Sequence, residues 1–556
     1  MGRPNKHGIT AAAFLGVLVL GVALWTVSTY GEAINLAHAK EQPESPGHLQ
    51  PSGQTTKSFA IDSDGDEDDV SLGDGQCGTK LVEGHTEVCT LRAAIQEAHA
   101  STGVGEIVSD SRVIRLVKPL PIIERPLGLN LNGTTIDGSL LNTPASGLHI
   151  RSEETTLQGV VIHGFSGDGI LYEEPGGSPL TLVNVESSVN CGWGLRIPNN
   201  SLVVHSTLRT SNNGAGEGCE AGGLLIQGGI TDASDGFVET IDNNGPGLVA
   251  DGDISISLLG FESSDNKGPG IQTLFGSITI TRPNEGSSTL TIKGNEGPGV
   301  FAGLDLSFDV ARDDDPGDEP LVQNIVVLGM PITVENNGSW GILASGTGDV
   351  FLNVNPETNL PMSLAKINVS GNGDPDKGCR ISTEDGDLDL PQDDCGGGGI
   401  GVVRGNLYAA AVSASGNFGP GIAATEDVSL GVLSASGNQG PGVQSIFGSI
   451  TIEPVMDESE SPNPEYLPYI NVEENQGPGL LAGSGSDFTA NGDDDSDEDT
   501  PPQNITIKGN IWARRNGSWG ILSTGRGDIL INIDPIGKNS LSPGVSEISG
   551  NGQAIG

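Results

Sequence analysis

Asn266-Lys267-Gly268-Pro269-Gly270-Ile271-Gln272-Thr273-Leu274-Phe275-Gly276-Ser277-Ile278-Thr279-Ile280 sets an asparagine before a Gly-Pro-Gly turn, then two short apolar stretches. The string returns almost unchanged from Asn438 to Ile452. Its opening, Asn-x-Gly-Pro-Gly, also begins at Asn243, Asn295, Asn417 and Asn475. Looser versions at Asn190, Asn213, Asn337, Asn372, Asn516 and Asn551 bring the total to twelve. The closest spacings are 21 to 23 residues. Wider gaps, such as 295 to 337, read as coils that carry an inserted loop or lack the asparagine. This period, with strand-like residues and no helical pattern, predicts an all-β solenoid, a parallel β-helix.

The asparagines have a physical reason to recur. A sharp bend between strands needs backbone near the left-handed region, which Asn tolerates best after Gly. Asparagines stacked from coil to coil can also hydrogen-bond as a ladder. Asn190, Asn243, Asn266, Asn295, Asn337, Asn417, Asn438, Asn475 and Asn516 are therefore expected to form a turn ladder, structural in role.

A longer repeat overlies the short one. Asn337-Gly338-Ser339-Trp340-Gly341-Ile342-Leu343 recurs as Asn516-Gly517-Ser518-Trp519-Gly520-Ile521-Leu522, and Asp349 to Pro356 as Asp528 to Pro535. The offsets, 172 to 180, imply a duplicated block of about 175 residues, at about 211–369 and 370–548. Ser549-Gly550-Asn551-Gly552 matches Ser370-Gly371-Asn372-Gly373, where a third copy would begin. Self-association through an uncapped C-terminal end is an expectation that follows from this match.

The 556 residues include 85 Gly, with 26 basic and 72 acidic side chains and a net charge of −46. So much glycine excludes long helices. The charge excludes a nucleic-acid partner, which needs a basic footprint. It fits solubility and resistance to aggregation, with divalent-cation binding as the sharper alternative.

Residues 1–39 read as an export signal or an N-terminal membrane anchor. Arg3 and Lys6 precede the mostly apolar stretch Ile9 to Val27, and Ala37-His38-Ala39 fits a cleavage site. A membrane partner is expected only through residues 9–27, if they are retained. The protein is thus expected to be exported, extracellular or at the cell surface. Six cysteines in an oxidising compartment predict disulfides. Of 15 possible connectivities, near neighbours favour Cys77–Cys89, Cys191–Cys219 and Cys379–Cys395.

Residues 40–60 read as a polar linker, 61–105 as an acidic cap, and 106–556 as the β-helix. Within the cap, Leu91, Ala94, Ile95 and Ala98 lie at helical spacing on one apolar face. Such a helix can cover the open end of a β-helix. Val113–Val117, Leu127–Leu131, Thr156–Ile162 and Leu180–Val185 read as the first strands.

The stretch from Cys89 through Thr90-Leu91-Arg92-Ala93-Ala94-Ile95 to Ala100 resembles the CSLREA motif of a family of exported repeat proteins, with Gly73 to Cys77 and Gly133 to Ser139 as flanking likenesses. The resemblance spans about 65 residues and implies a right-handed, single-stranded parallel β-helix of the pectin-lyase-like kind with a short helical cap. The chain departs from the motif at Ala93, where the family has Glu, and at His99, where it has Asn. A Glu at 93 would complete a capping box; without it Thr90 must cap alone.

Candidate chemistry lies mainly in acidic loops. Asp313, Asp314 and Asp315 and their counterparts Asp493, Asp494 and Asp495 occupy equivalent places in the two copies. Asp62, Asp64, Asp66 and Asp68 alternate like a calcium loop, without the EF-hand Gly and Glu. No cofactor is expected unless these loops hold calcium. Trp193, Trp340 and Trp519 share one turn position. Exposed, they would stack on glycan rings, but the Ile or Leu that follows each favours burial. His149, His163 and His205 are the only histidines after residue 105, and Arg196, Arg209, Arg282, Arg312, Arg380 and Arg404 are scattered. No polygalacturonase-type Asn-Thr-Asp or Gly-His-Gly occurs. The expectation is a non-catalytic surface or extracellular protein for adhesion, glycan binding or envelope structure. A polysaccharide lyase, hydrolase or epimerase is the alternative.

Overall fold

The computed structural model describes residues 57–79, 88–219, 221–232, 235–282, 288–304, 322–375, 397–453, 469–483, 502–524, 527–531 and 546–552. All lie in the larger of two compact units, Thr55–Gly556. The expected export signal, Asp313 to Asp315, Asp493 to Asp495, Cys379 and Cys395 lie outside the described residues.

Among the described residues the protein is all-β apart from one helix, Leu91–Ala100, and its strands pair in parallel. They form a 25-stranded and a 13-stranded sheet. One circuit of chain shows how the sequence builds them. Leu407–Ser415 runs extended, Asn417 to Gly421 turns the chain, Ile422–Ala424 forms a short strand, and Val428–Ser436 follows. Val428–Ser436 lies in register on Leu407–Ser415, with Leu407 opposite Val428 and Ser415 opposite Ser436. Ile422–Ala424 likewise supports Val443–Ser445. Circuits whose spacing is wider keep the register: Ile342–Ala344 pairs with Ile400–Val402 across the segment that contains the described 345–375.

Period-two patterning decides which side faces inward. Leu407, Ala409, Val412 and Ala414 are buried, while Tyr408, Ser413 and Ser415 between them are half-buried. In the 13-stranded sheet the first inward place is aliphatic on every circuit from Leu148, Ile170 and Leu195 to Val443 and Leu480, all buried. The second shrinks along the stack, from Ile150 and Tyr172 to Ala250, Ala302 and Ala344. Each buried Ile or Leu contributes at most about 1.5–3 kcal/mol of transfer free energy.

All twelve asparagines named above form one unbroken ladder from Asn190 to Asn551. Each Nδ2 donates to the Oδ1 of the next circuit's asparagine at 2.8 to 3.1 Å. The same Oδ1 accepts the preceding asparagine's backbone N–H, as from Asn417 to Asn438 at 3.1 Å. The second Nδ2 proton goes to a main-chain carbonyl one circuit back, as from Asn417 to Val369 at 3.2 Å. A buried amide is thereby fully satisfied on each internal circuit. The left-handed backbone falls one residue earlier than the sequence suggests. It lies at Val189, Asn212, Asp242, Asp265, Gly294, Asn336, Gly371, Gly416, Gly437, Glu474, Arg515 and Gly550, each directly before a ladder asparagine. The asparagine is selected for its amide, and its neighbour makes the bend.

The first circuit carries the cap. Lys57–Ile61 pairs with Val104–Ser109, so the strand begins inside the stretch read as linker. Thr90 caps the helix alone, its Oγ1 accepting the Ala93 N–H at 3.1 Å. Leu91, Ala94, Ile95 and Ala98 join the main core.

Candidate functional site

The aspartates read as a calcium loop serve the cap instead. Asp66 Oδ1 lies 2.7 Å from Arg92, both side chains being almost wholly buried, and Asp66 Oδ2 accepts the Val117 N–H at 2.8 Å. Arg92 also donates to the carbonyls of Lys118 and Pro119 at 2.6 and 2.7 Å. Asp68 pairs with Lys118, whose hydrogen bond holds the carboxyl below its ordinary value. Asp62 accepts the Cys89 N–H at 2.6 Å, and Asp64 is exposed. Asp62, Asp66 and Asp68 each have their own protein donors rather than converging on one centre. Among the described residues no group of three His, Cys, Asp or Glu side chains is placed to hold a metal. Glu97 is fully buried within the same cap. Burial pushes its carboxyl up, but donors from Ser101, Gly73 and Gly75 outweigh this and hold it below the ordinary value.

Two disulfides, Cys77–Cys89 and Cys191–Cys219, are formed, which fits an oxidising compartment. The first clamps the cap and the second clamps the circuit that carries Trp193. No helix among the described residues is long and apolar enough to cross a membrane.

The three tryptophans, equivalent in sequence, differ in surroundings. Trp340 is 3% exposed, lying over Gly398 and Gly401 of the next circuit, where an added Cβ would meet its ring at 2.7 and 2.9 Å. Trp193 is half-buried over Gly222 in the same way. Trp519 is 51% exposed. For Trp193 and Trp340 the next circuit supplies a glycine against the ring.

A charged cluster lies on the outer side of the 13-stranded sheet. His149, Leu171 and Arg196 are the outward residues of three successive circuits and stack in register. Glu173 follows Leu171, and its Oε2 lies 2.8 Å from His149 Nε2 and 3.2 Å from Arg151. The hydrogen bond to His149 holds the Glu173 carboxyl below its ordinary value, against burial and with help from Arg151. On the other flank of Ile170–Tyr172, Asp168 accepts the Trp193 N–H at 2.9 Å and lies 3.8 Å from Arg196. Burial raises the Asp168 carboxyl, and the Trp193 N–H and Arg196 only partly offset it.

Arg151 and Arg196 match the charges of Glu173 and Asp168 (+2 − 2), on a chain whose net charge is −46. Guanidinium donors and carboxylate acceptors beside the half-buried Trp193 suit a hydroxyl-rich ligand. No sequence spacing joins His149 to Arg196. They are 47 positions apart, and only the coil register aligns them.

A second polar ladder also went unread. The N–H groups of Ser277, Asn324, Asp349, Asn406, Asp427, Ser449, Asn504 and Asp528 each donate to a side-chain oxygen one circuit back, beginning at Asp253, over 2.7 to 3.0 Å. Its members mix Asp, Asn and Ser, but Asp253, Ser277, Asn324 and Asp349 recur in the same order as Asp427, Ser449, Asn504 and Asp528, so the signal lies in the long repeat. No family model, curated protein or solved structure matches the chain.

Proposed function

We propose that the chain is an exported, right-handed, single-stranded parallel β-helix that binds glycans without cleaving them, as an extracellular or cell-surface protein. Handedness and export rest on the resemblance to the CSLREA-motif proteins and on the apolar stretch from Ile9 to Val27. The two disulfides support export. The observation that carries glycan binding is the locally neutral face of His149, Arg151, Glu173, Asp168 and Arg196 beside Trp193. Both carboxylates are committed to protein cations and N–H groups, which favours holding a ligand over turning it over. Cleavage of a polysaccharide is the second reading, and Asp168 supports it, because a buried carboxyl with a raised pKa suits a general acid.

The test uses the disulfide-intact protein on immobilised acidic and neutral polysaccharides, with release of reducing or unsaturated ends followed in the same samples. Retention without release is expected, and Arg196→Ala should lose retention while melting like the parent. Release of ends that depends on Asp168 would replace binding by catalysis. Retention indifferent to Arg196→Ala, or no retention, would remove this face from the reading.

A further inference from the structure

We propose that Tyr408 walls a separate carbohydrate subsite on the outer side of the 25-stranded sheet, selective for a pyranose that carries a protonated amine. The argument begins with register. Outward residues in a parallel stack repeat about every 4.8 Å, so a large side chain followed by a small one leaves a step. Val326, Phe351, Tyr408, Ser429 and Thr451 occupy successive rungs of one outward ladder. Phe351 and Tyr408 are stacked, with centroids 5.0 Å apart and planes 6° apart. Phe351 is buried beneath Val354 and Ala410, while Tyr408 is only half-buried. The next rung, Ser429, ends at a hydroxymethyl group, and the one after is Thr451. The far side of the Tyr408 ring therefore has no stacked ring among the described residues. A ring-high shelf runs from it over two short hydroxyl side chains.

The rim sets the charge of the ligand. Asp349 and Asp427 flank Leu407–Ser415 in the second polar ladder. Asp349 Oδ1 is taken by the Asn406 backbone and side-chain N–H groups at 2.8 and 3.0 Å. Asp427 is exposed; its Oδ1 takes the Ser449 N–H at 2.7 Å, and its Oδ2 has no protein donor among the described residues. Both charges reach the phenol: after burial, they are what pushes the Tyr408 hydroxyl upward. An aromatic face beside two carboxylates attracts a cation and repels a uronate. A sugar ring with a free ammonium satisfies both, its C–H face on Tyr408 and its charge toward Asp427 Oδ2. The duplicated block sharpens the assignment, because Leu530 stands where the first copy has Phe351. This subsite shares no residue with the Arg196 face and does not depend on it.

The probe is a short glucosamine oligomer near pH 5.5, compared by calorimetry with its fully N-acetylated counterpart and a galacturonate oligomer of equal length. The intact chain should bind the amine oligomer in preference to both. Tyr408→Ala should weaken that binding about tenfold and Tyr408→Phe should restore it. Asp427→Asn should weaken the amine oligomer and leave the acetylated one unchanged. Arg196→Ala should have no effect on it. Melting curves of each variant separate lost binding from lost folding. Equal binding by Tyr408→Ala would mean general attraction to an acidic surface and would overturn the proposal, as would equal binding of the acetylated or acidic oligomer. Loss of binding in Arg196→Ala alone would overturn it too and assign the ligand to the other face.

Discussion

Val189 is the residue least suited to its place. It holds φ +57° and is 47% exposed, so the strain has no packing to offset it. Left-handed backbone costs an L-residue about 1–2 kcal/mol, and a β-branched one is a genuine outlier there. Gly294, Gly371, Gly416 and Gly437 fill the equivalent place on other circuits. Val189→Gly is expected to raise stability by about 1 kcal/mol, net of the glycine's entropy, read as a higher urea midpoint at unchanged slope. The ladder asparagines give a prediction of opposite sign. Asn417 accepts from Asn372 and donates to Asn438 Oδ1 and the Val369 carbonyl. Asn417→Asp keeps the acceptors, but an ionised carboxylate has no proton for either neighbour. Its folded pKa should lie above the ordinary carboxylate value of about 3.9. The stability this group gains is then full below the unfolded pKa and is lost as pH rises through the folded one. The variant should come closest to the parent at about pH 4, where the neutral acid still donates to one of the two acceptors, and trail it by about 3 kcal/mol or more at neutral pH. A deficit independent of pH would contradict the donor direction of the ladder.

The element scale is where one circuit's sequence sets its neighbour's. Trp340 and Trp519 occupy the same turn in the two copies, yet one is 3% and the other 51% exposed. Trp340→Ala should therefore cost about 3–5 kcal/mol, whereas Trp519→Ala should stay within about 1 kcal/mol. Matched thermal melts of the two variants check this, and equal losses would show that burial does not separate the two sites. Closeness between circuits also explains the last glycine of each turn. A Cβ on Gly421 would sit 2.6 Å from the Gly442 carbonyl oxygen, so the repeat tolerates no side chain there. Such constraints repeat at one spacing, which is why the turn, the asparagines and the strand alternation were legible in the chain. The Arg196 face and the Asp253-to-Asp528 ladder were not legible. The face joins unlike residues that only the register aligns, and the ladder changes residue type from one circuit to the next across inserts of unequal length, recurring only from one long copy to the other. The surroundings of the acidic run at 62–69 were hidden for a related reason. Its spacing resembles a metal loop, but Arg92 and Lys118, far along the chain, supply the cations.

At the scale of the whole molecule, stability is a sum of similar interfaces between successive circuits, set against the chain's own charge. Every circuit offers the next an aliphatic ladder, joined from Asn190 onward by an amide rung, and no single contact dominates. Against this stands a net charge of −46, whose self-repulsion grows with compactness. Most ion pairs among the described residues are partly exposed, as with Arg209–Glu239 and Lys293–Glu262, and contribute little each. The buried Arg92–Asp66 pair is shielded from salt by its surroundings. Raising NaCl from about 0.1 M to about 1 M shortens the Debye length from about 10 Å to about 3 Å. That screens repulsion spread over the whole chain and only weakens pairs of small value. The melting temperature should therefore rise by a few degrees with salt, read by calorimetry at neutral pH. A fall would mean that the surface pairs outweigh the repulsion and that the acidic surplus is locally balanced. A rise that vanishes near the pI of about 4.2, where the net charge is gone, would trace the effect to that surplus.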